Sequence, residues 1–252
     1  MNLVYFTGGP RERVLAGVLA AGHRVERIYV NDPERWPKLL KTIDMARDLG
    51  IDVHVVSRKA DLAALRGEIA GKVCLSAGFN YIFSPDFIAS ARVIINVHGS
   101  LLPKYAGART LSWAIVDGET ESGVTVHRVD AGVDTGPVLL QKRFPLSPFE
   151  TTRSLARKTG DLEPSVVVDA LRRYEEEGDG AFEPQGGEAP PLRPNRIPAH
   201  SEIDPRRPLI DLFNDIRASD PDSYPAYFYL HGQKVCVRVW RPEKPEDEAD
   251  LV

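Results

Sequence analysis

The first half of the chain alternates short apolar runs with amphipathic stretches, and this alternation constrains the fold more than any other feature. Strands are predicted at the β-branched and aromatic runs 3–6, 25–30, 53–56, 73–77 and 93–97. Helical spacing of apolar residues occupies the stretches 11–21, 37–49 and 61–70, with Asp61 as the predicted N-cap of the last. A repeated strand–helix order predicts an α/β fold, a Rossmann-like, mostly parallel sheet flanked by helices.

The pattern changes after Gly123. The runs 124–129 and 138–144 flank a turn-rich segment and predict two neighbouring strands at the far edge of the sheet. A long helix is predicted over 151–177, and an interruption at Gly160 or Pro164 is left open.

Beyond the long helix, composition shifts to Gly, Pro, Glu and Arg over 178–207, which predicts a linker or an extended excursion. A helix at 209–218 and a β-hairpin around His231-Gly232 then form a small C-terminal unit. We therefore expect a main domain at 1–177, the linker at 178–207, and a helix–hairpin subdomain at 208–252 with a frayed tail.

Composition excludes several classes of protein. The 252 residues are 42% hydrophobic and 27% charged, as in ordinary globular domains. The net charge of −4 disfavours a nucleic-acid partner, because phosphate contacts need a basic face. Cys74 and Cys236 lack metal-ligand spacing, so no metal is expected and a reducing cytoplasm is the expected location. No signal peptide or membrane-length apolar run is apparent, so we expect no membrane partner.

Two polar residues, Asn96 and His98, stand at the end of the predicted strand 93–97. Their spacing of two places both side chains on one face of a strand, and the following Gly-Ser-Leu-Leu-Pro leaves the sheet as a loop. Ligands of open α/β sheets gather beyond the carboxyl ends of strands. Taken singly, Asn96 also fits a turn residue and His98 a hydrogen-bonded core histidine.

A carboxylate in the loop after the strand 124–129 is the third candidate. Asp134 lies in Asp-Ala-Gly-Val-Asp-Thr-Gly, at 130–136. An aspartate near glycine is often only the acceptor of an Asx-turn, and Asp130 is a rival carboxylate in the same loop. The residues alone leave the choice between these two open.

The strings 96–107 and 123–136 together resemble the paired signature of the folate-dependent N-formyltransferases. That signature is Asn-x-His running into Ser-Leu-Leu-Pro, then an Asp-Thr-Gly loop after a Gly-Val-Thr strand, and it covers about residues 70–145 here. The family includes methionyl-tRNA formyltransferases, glycinamide ribonucleotide formyltransferases and enzymes that formylate nucleotide-linked amino sugars. By this resemblance the catalytic residues are Asn96, His98 and Asp134.

The resemblance also implies the substrates. The formyl donor would be N10-formyltetrahydrofolate, a co-substrate that needs no metal, and its pterin would be held largely by backbone along Gly78, Phe79, Asn80, Tyr81 and Ile82. Phe79, Tyr81 and Phe83 fit core aromatic residues equally well. Attack by a primary amine would create an oxyanion that Asn96 and His98 stabilise by hydrogen bonds, while Asp134 holds His98 protonated or accepts the proton of the amine.

The acceptor amine is predicted from length and charge. Residues after Arg207 can hold a helix and hairpin but not the larger basic barrel of the methionyl-tRNA enzymes, and the loop Thr7–Arg11 lacks the phosphate-cradling pattern of the glycinamide ribonucleotide enzymes. We therefore expect an amino-deoxysugar on a nucleotide carrier, contacted by Lys104, Tyr105 and Arg109. A 212–218 helix with Tyr224-Pro225-Ala226 resembles an element of the tRNA and sugar enzymes, or is simply a packed helix.

Four alternatives stay open at this point. The acceptor could be another amine, namely methionyl-tRNA, glycinamide ribonucleotide or a small natural-product amine. The protein could instead be a hydrolase that releases formate, or a non-catalytic ligand-binding relative. The apolar C-terminal helix and hairpin would suit either a homodimer interface or the core of a subdomain.

Overall fold

The computed structural model describes residues 1–108, 110–187 and 190–246. Its strands are β1 (Asn2–Thr7), β2 (Arg24–Asn31), β3 (Asp52–Val56), β4 (Val73–Ala77), β5 (Val93–His98), β6 (Glu121–Arg128), β7 (Val138–Pro145), β8 (Ala226–Leu230) and β9 (Gln233–Val237). Its α-helices are α1 (Glu12–Ala20), α2 (Leu40–Asp48), α3 (Pro85–Ser90), α4 (Leu111–Val116), α5 (Thr152–Glu177) and α6 (Leu209–Arg217).

Strands β1 to β7 form one sheet in the order β3-β2-β1-β4-β5-β6-β7. The first five strands run parallel, and β6 pairs antiparallel with β5. The predicted α/β, mostly parallel sheet is thus confirmed, as is the separate antiparallel hairpin β8–β9. His231 and Gly232 both have positive φ (49° and 78°), which suits the tight turn that the sequence predicts there.

Strands β1 to β5 send alternate residues into two cores, one on each face of the sheet. On one face Leu3, Leu75 and Ile95 join a core that also contains residues of α1, α2 and α5. On the other face Val4, Phe6, Cys74 and Ile94 pack with the aromatic rings of Phe83 and Phe87. Because alternation along β5 continues past Ile94, Asn96 and His98 lie on this second, aromatic face, at the carboxyl end of the strand.

The chain forms two compact units, each built from several segments. Unit 1 comprises Met1–His98, Val124–Lys142 and Leu162–Glu188, and unit 2 comprises Gly99–Gly123, Arg143–Asp161 and Ala189–Val252. Unit 1 contains both cores described above. Unit 2 has two smaller apolar clusters, centred on Ile115 with Leu155 and on Leu212 with Ile216. The boundaries predicted from the sequence at 177 and 207 stay a prediction.

Two local predictions, the α-helix at 61–70 and its N-cap at Asp61, need correction, and the structure settles a question left open about helix α5. The stretch 61–70 is a 3-10 helix over Lys59–Leu65, and Asp61 lies three residues inside it, where its carboxylate accepts the backbone N–H of Arg58 at 3.0 Å. Gly67 then follows, and glycine disfavours continuation as an α-helix. Helix α5 runs through Gly160 and Pro164 without a break.

The short helices α3 and α4 were not predicted from the sequence, and the region 178–207 is not entirely extended. It contains two short 3-10 helices, Gly178–Ala181 and Pro198–Ser201, and its Glu183 forms an isolated antiparallel bridge with Val138. Six-residue helices carry too few turns for apolar periodicity to reveal them.

Candidate active site

Four polar side chains share one face of the sheet where β5 and β6 pair. Asn96 is opposite His127 and His98 is opposite Thr125 in the antiparallel register. Directly opposed residues of antiparallel strands point to the same side, so the four side chains form a compact cluster. Sequence reasoning identified only the β5 half. Thr125 and His127 show the same spacing of two in β6, and that spacing was the signal that could have found them.

Asp134 reaches this cluster from the loop between β6 and β7. One of its carboxylate oxygens, Oδ2, lies 3.4 Å from Nδ1 of His98, and the other, Oδ1, lies 3.4 Å from Nε2 of His127. The side chain of His127 is buried, whereas those of His98 and Asp134 are 14% and 17% exposed. The structure therefore brings Asn96, His98 and Asp134 together, and it adds His127 to them.

The hydrogen-bond partners of His127 fix its ring. Its Nδ1 lies 2.9 Å from the carbonyl oxygen of Arg128, and because a carbonyl only accepts, Nδ1 carries a hydrogen. In the neutral ring Nε2 is then an acceptor, and Nδ2 of Asn96 donates to it at 3.1 Å. The longer contact of Nε2 with Asp134 becomes a donor–acceptor pair only when His127 is an imidazolium.

Asp130, the rival carboxylate, shapes the loop that carries Asp134. Its Oδ1 accepts the backbone N–H of Gly132 at 3.1 Å and the hydroxyl of Thr135 at 2.7 Å. This is an Asx-turn, and its geometry turns Asp134 toward the histidines. Asp134 itself has φ of 54°, in the left-handed region that non-glycine residues rarely occupy. Unusual backbone at a functional side chain is a common feature of active sites.

Gly136 closes the same loop. A Cβ atom on this residue would lie 1.9 Å from the carbonyl oxygen of Arg128, so only glycine fits there. The backbone N–H of Arg128 also donates to the carbonyl of Pro137 at 2.9 Å. The Asp-Thr-Gly part of the motif thus has a steric cause as well as a chemical one.

The segment predicted to approach the folate, 78–82, follows β4, so it lies at the carboxyl ends of the parallel strands, as His98 does. Its Asn80 side chain donates to the carbonyl of Gly8 and to Oδ1 of Asn31, and the Tyr81 hydroxyl donates to the carbonyl of Ser57 at 2.6 Å. Phe79 stacks on Phe83 with ring centroids 5.5 Å apart.

These contacts leave little of the segment for side-chain recognition. Gly78 has no side chain and has φ of 67°, and Ile82 is 57% exposed. A flat ligand lying along this edge would therefore meet peptide groups and the Ile82 side chain. Recognition of a pterin by the backbone of this segment stays a prediction. The packing of Phe79, Tyr81 and Phe83 in the aromatic core favours their interpretation as core residues.

Two of the predicted acceptor-binding residues lie in unit 2 and share one partner. Nζ of Lys104 lies 2.7 Å from a carboxylate oxygen of Glu119, and the Tyr105 hydroxyl donates toward the same oxygen at 3.0 Å. Burial, together with the carboxylates of Asp117 and Glu119, raises the pKa of Tyr105. Arg109 lies outside the described residues.

The helix element at 212–218 has a packing function. Nε of Arg217 donates to Oδ1 of Asn214 at 2.8 Å, and Nη1 donates to the buried carbonyl of Glu150 at 2.6 Å. The side chain of Arg217 is buried among these groups. These contacts favour the structural interpretation of this motif over a ligand-binding one.

Among the described residues, no group of three or more His, Cys, Asp or Glu side chains could hold a metal ion. Over the same residues, no helix has the length and apolar character needed to cross a membrane.

Comparison with known proteins identifies the family of this chain. The family model described as formyl transferase matches residues 43–171. A methionyl-tRNA formyltransferase of Koribacter versatilis is 34% identical over 233 residues, which span 87% of this chain and 73% of that protein. Two Synechococcus methionyl-tRNA formyltransferases are matched over only 45% and 58% of their length.

Solved structures show the same architecture. Glycinamide ribonucleotide transformylase 1 from Symbiobacterium toebii superimposes with a TM-score of 0.62 at 26% identity, covering 70% of this chain and 88% of that one. A sugar N-formyltransferase from Shewanella sp. FDAARGOS_354 superimposes with a TM-score of 0.73 at 18% identity, covering 95% and 97% of the two chains.

The chain therefore belongs to the formyl transferase family. It is an N-formyltransferase.

Proposed function

We propose that Asn96, His98 and Asp134 catalyse transfer of the formyl group to the primary amine of an amino-deoxysugar carried on a nucleotide. The observation that carries the catalytic part is the convergence of one amide, two imidazoles and one carboxylate at the carboxyl end of β5. Acyl transfer between two nitrogens requires stabilisation of an oxyanion and movement of protons, and these groups supply both.

Asn96 and His98 are the hydrogen-bond donors in this scheme. The amide of Asn96 has two N–H donors, and His127 accepts one of them, so the second can donate to the oxygen that gains charge. His98 presents Nδ1 toward Asp134, and Nε2 on the other side of the ring donates to the same oxygen. One such donor typically contributes about 10²–10³ in kcat.

Asp134 has two functions in the proposal. Its negative charge close to His98 favours the imidazolium form, which is the form that donates from both nitrogens. Its other oxygen faces His127, so the pair can receive the proton that the attacking amine loses. The departing folate nitrogen is protonated within the same network. General acid–base assistance of this kind contributes roughly 10²–10⁴ in rate.

Two observations support the sugar-nucleotide acceptor. The Shewanella sugar enzyme and this chain cover each other almost completely, whereas the glycinamide ribonucleotide enzyme leaves a large part of this chain without a counterpart. In addition, unit 2 carries nearly equal numbers of acidic and basic residues, and several of its cations are in ion pairs, such as Arg153 with Asp220 and Arg193 with Asp117. A tRNA-binding face instead needs cations available for phosphates.

We propose that Lys104, Tyr105 and Arg109, the residues expected from the sequence, contact the acceptor. Lys104 would exchange its ion pair with Glu119 for an anionic group of the acceptor, because the pair is solvent-exposed and weak. A second candidate acceptor is methionyl-tRNA, and the sequence identity of about one third to methionyl-tRNA formyltransferases favours it.

An acceptor panel tests the proposal. The purified protein is incubated with N10-formyltetrahydrofolate and, separately, 3- and 4-amino-deoxysugars on dTDP, GDP and UDP, methionyl-tRNA, glycinamide ribonucleotide, or no amine. Mass spectrometry follows the gain of one formyl group, and released formate is assayed in parallel. We expect formylation of at least one sugar nucleotide. Formylation of methionyl-tRNA alone, or formate release that no amine alters, would contradict the sugar proposal.

A further inference from the structure

Gln185 contacts the backbone of the loop that carries Asp134. Its side-chain Nε2 donates to the carbonyl oxygen of Asp134 at 2.7 Å and to that of Gly136 at 2.8 Å. An amide NH₂ has two hydrogens, so one side chain satisfies both carbonyls. No motif pointed to this residue, because it follows the long helix in a region whose composition resembles a linker.

The segment that carries Gln185 is itself attached to the strands around the loop. The backbone N–H of Val138 donates to the carbonyl of Glu183 at 2.7 Å, and the N–H of Glu183 donates back to Val138 at 2.8 Å. Earlier in the segment, the Arg128 guanidinium lies 4.3 Å from the ring centroid of Phe182 and pairs with Asp179 at 2.5 Å. Gln185 is therefore held two residues beyond a fixed pair of hydrogen bonds.

The loop needs such a restraint at Asp134. The left-handed φ of Asp134 is unfavourable for a residue with a Cβ, so the free loop would prefer other conformations. The Asx-turn of Asp130 fixes the loop before Asp134, and Gly136 fixes it afterwards through its close approach to Arg128. Gln185 restrains the peptide group that follows Asp134 and the one that follows Gly136, and the first of these helps to set the direction of the Asp134 side chain.

We propose that Gln185 is a positioning residue that holds the Asp134 carboxylate toward His98 and His127. The inference rests on the proposed catalytic function of Asp134. Gln185 does not itself touch either histidine in the contacts described, so its effect on turnover passes through the loop. Misplacement of a catalytic group by about 1 Å can reduce the rate on the order of 10²-fold.

The test is a double-mutant cycle. Gln185→Met removes both N–H donors at nearly constant size, and Asp134→Asn removes the carboxylate. We expect Gln185→Met to lower kcat about 10- to 100-fold with KM for the donor nearly unchanged, since binding along 78–82 does not involve the loop. In the Asp134→Asn background the same change should have less than a twofold effect. Gln185→Asn, which keeps the amide on a shorter side chain, should lose less than Gln185→Met.

Glu183→Gln is the matched control, because the Glu183 side chain is exposed and pairs with Arg173 at 2.8 Å. Its kcat should stay at the wild-type level, and circular dichroism should show every variant folded. Equal losses from Gln185→Met in both backgrounds, or a wild-type kcat in Gln185→Met, would overturn the inference alone. A wild-type protein without turnover on any acceptor would overturn the proposed function, and this inference with it.

Discussion

Nδ1 of His98 lies 3.4 Å from Oδ2 of Asp134, although the two residues belong to segments separated by α4, β6 and a loop. Strand β6 begins to pair opposite His98 and runs antiparallel to β5 until Arg128 lies opposite Ile95. The loop that follows β6 then folds back over the face of the sheet that carries His98 and His127, and this brings Asp134 to them. The two side chains form an ion pair when His98 is protonated, and the carboxylate then holds the imidazole ring in place.

Replacement of His98 tests the donor side of the site. We expect His98→Ala to lower kcat for formyl transfer about 10²- to 10⁴-fold, because one proton donor and one oxyanion contact are lost together. Its melting temperature should stay close to wild type, since the side chain is partly exposed at a strand end. His54→Ala, an exposed histidine of β3, is the control and should retain wild-type kcat. A His98→Ala enzyme with most of its kcat would exclude this function for the residue.

Replacement by asparagine should separate the structural function of Asp130 from the chemical function of Asp134. Asp130→Asn keeps the Oδ1 acceptor of the Asx-turn, so we expect nearly wild-type kcat and stability. Asp130→Ala removes the turn, and we expect a loss of about 1–3 kcal/mol in the free energy of unfolding, because the hydrogen bonds from Gly132 and Thr135 are both lost. Steady-state kinetics and urea unfolding measure these outcomes. If Asp130→Asn lost as much activity as an Asp134 variant, Asp130 would be chemically involved.

His127 should matter through Asn96. His127→Phe removes the acceptor that orients the Asn96 amide and leaves the carbonyl of Arg128 without its Nδ1 donor. We expect kcat to fall about 10²-fold with a small change in KM, and the free energy of unfolding to fall by about 1–3 kcal/mol. Kinetics with urea unfolding separate the two effects. Unchanged kcat in a folded His127→Phe protein would show that Asn96 needs no such partner.

The segment 78–82, at the carboxyl end of β4, should determine the affinity for the formyl donor. Ile82→Asp places a charge at an exposed apolar side chain, and we expect KM for N10-formyltetrahydrofolate to rise about tenfold, as when 1.4 kcal/mol of binding is lost. Leu49→Asp is a matched control, since Leu49 is similarly exposed but lies before the amino end of β3, at the other end of the strands. Equal KM values for the Ile82 variant and wild type would place the pterin elsewhere.

A buried ion pair in unit 1 should make stability depend on pH. Burial raises the pKa of Glu163 above 4.5, and the Arg11 guanidinium, 3.1 Å away, opposes this only partly. The folded state therefore holds the Glu163 proton more tightly than the unfolded state does. That contribution to stability is present below the unfolded pKa and is lost as pH rises through the folded pKa.

The measurement is urea unfolding of wild type and Glu163→Gln between pH 4 and about 8. The variant is the reference because its glutamine side chain does not titrate. We expect the stability of wild type relative to the variant to fall as pH rises, by roughly 1.4 kcal/mol for each tenfold difference in proton affinity between the states. Parallel pH dependences of the two proteins would show that Glu163 does not carry this effect.

Much of the fold follows from the sequence because its strands are regular. The runs of Val, Ile and Leu in β1 to β5 fill two cores and leave few alternatives to a covered parallel sheet. The prediction of a helix starting at Asp61 was wrong because the Asp61 carboxylate accepts the backbone N–H of Arg58, three residues earlier. A pattern of apolar residues does not distinguish this position, inside the first turn, from an N-cap.

The site was predictable only in part, and for a physical reason. Asn96 and His98 were visible because both lie on one strand with a spacing of two. His127 was missed because its partnership with Asn96 depends on antiparallel register, which sequence does not specify between these strands. Gln185 was missed because it contacts the backbone carbonyls of Asp134 and Gly136, which are distant from it in the sequence. Contacts to backbone leave no side-chain pattern.

The most direct test of the account is single-turnover formyl transfer by wild type and Asp134→Asn, with the acceptor that the panel identifies. Asparagine keeps the size of the side chain and removes its charge, so the loop and the Asp130 turn should remain intact. The account predicts a folded Asp134→Asn protein whose single-turnover rate is at least about 10²-fold below wild type. A variant that transfers the formyl group at the wild-type rate would contradict it.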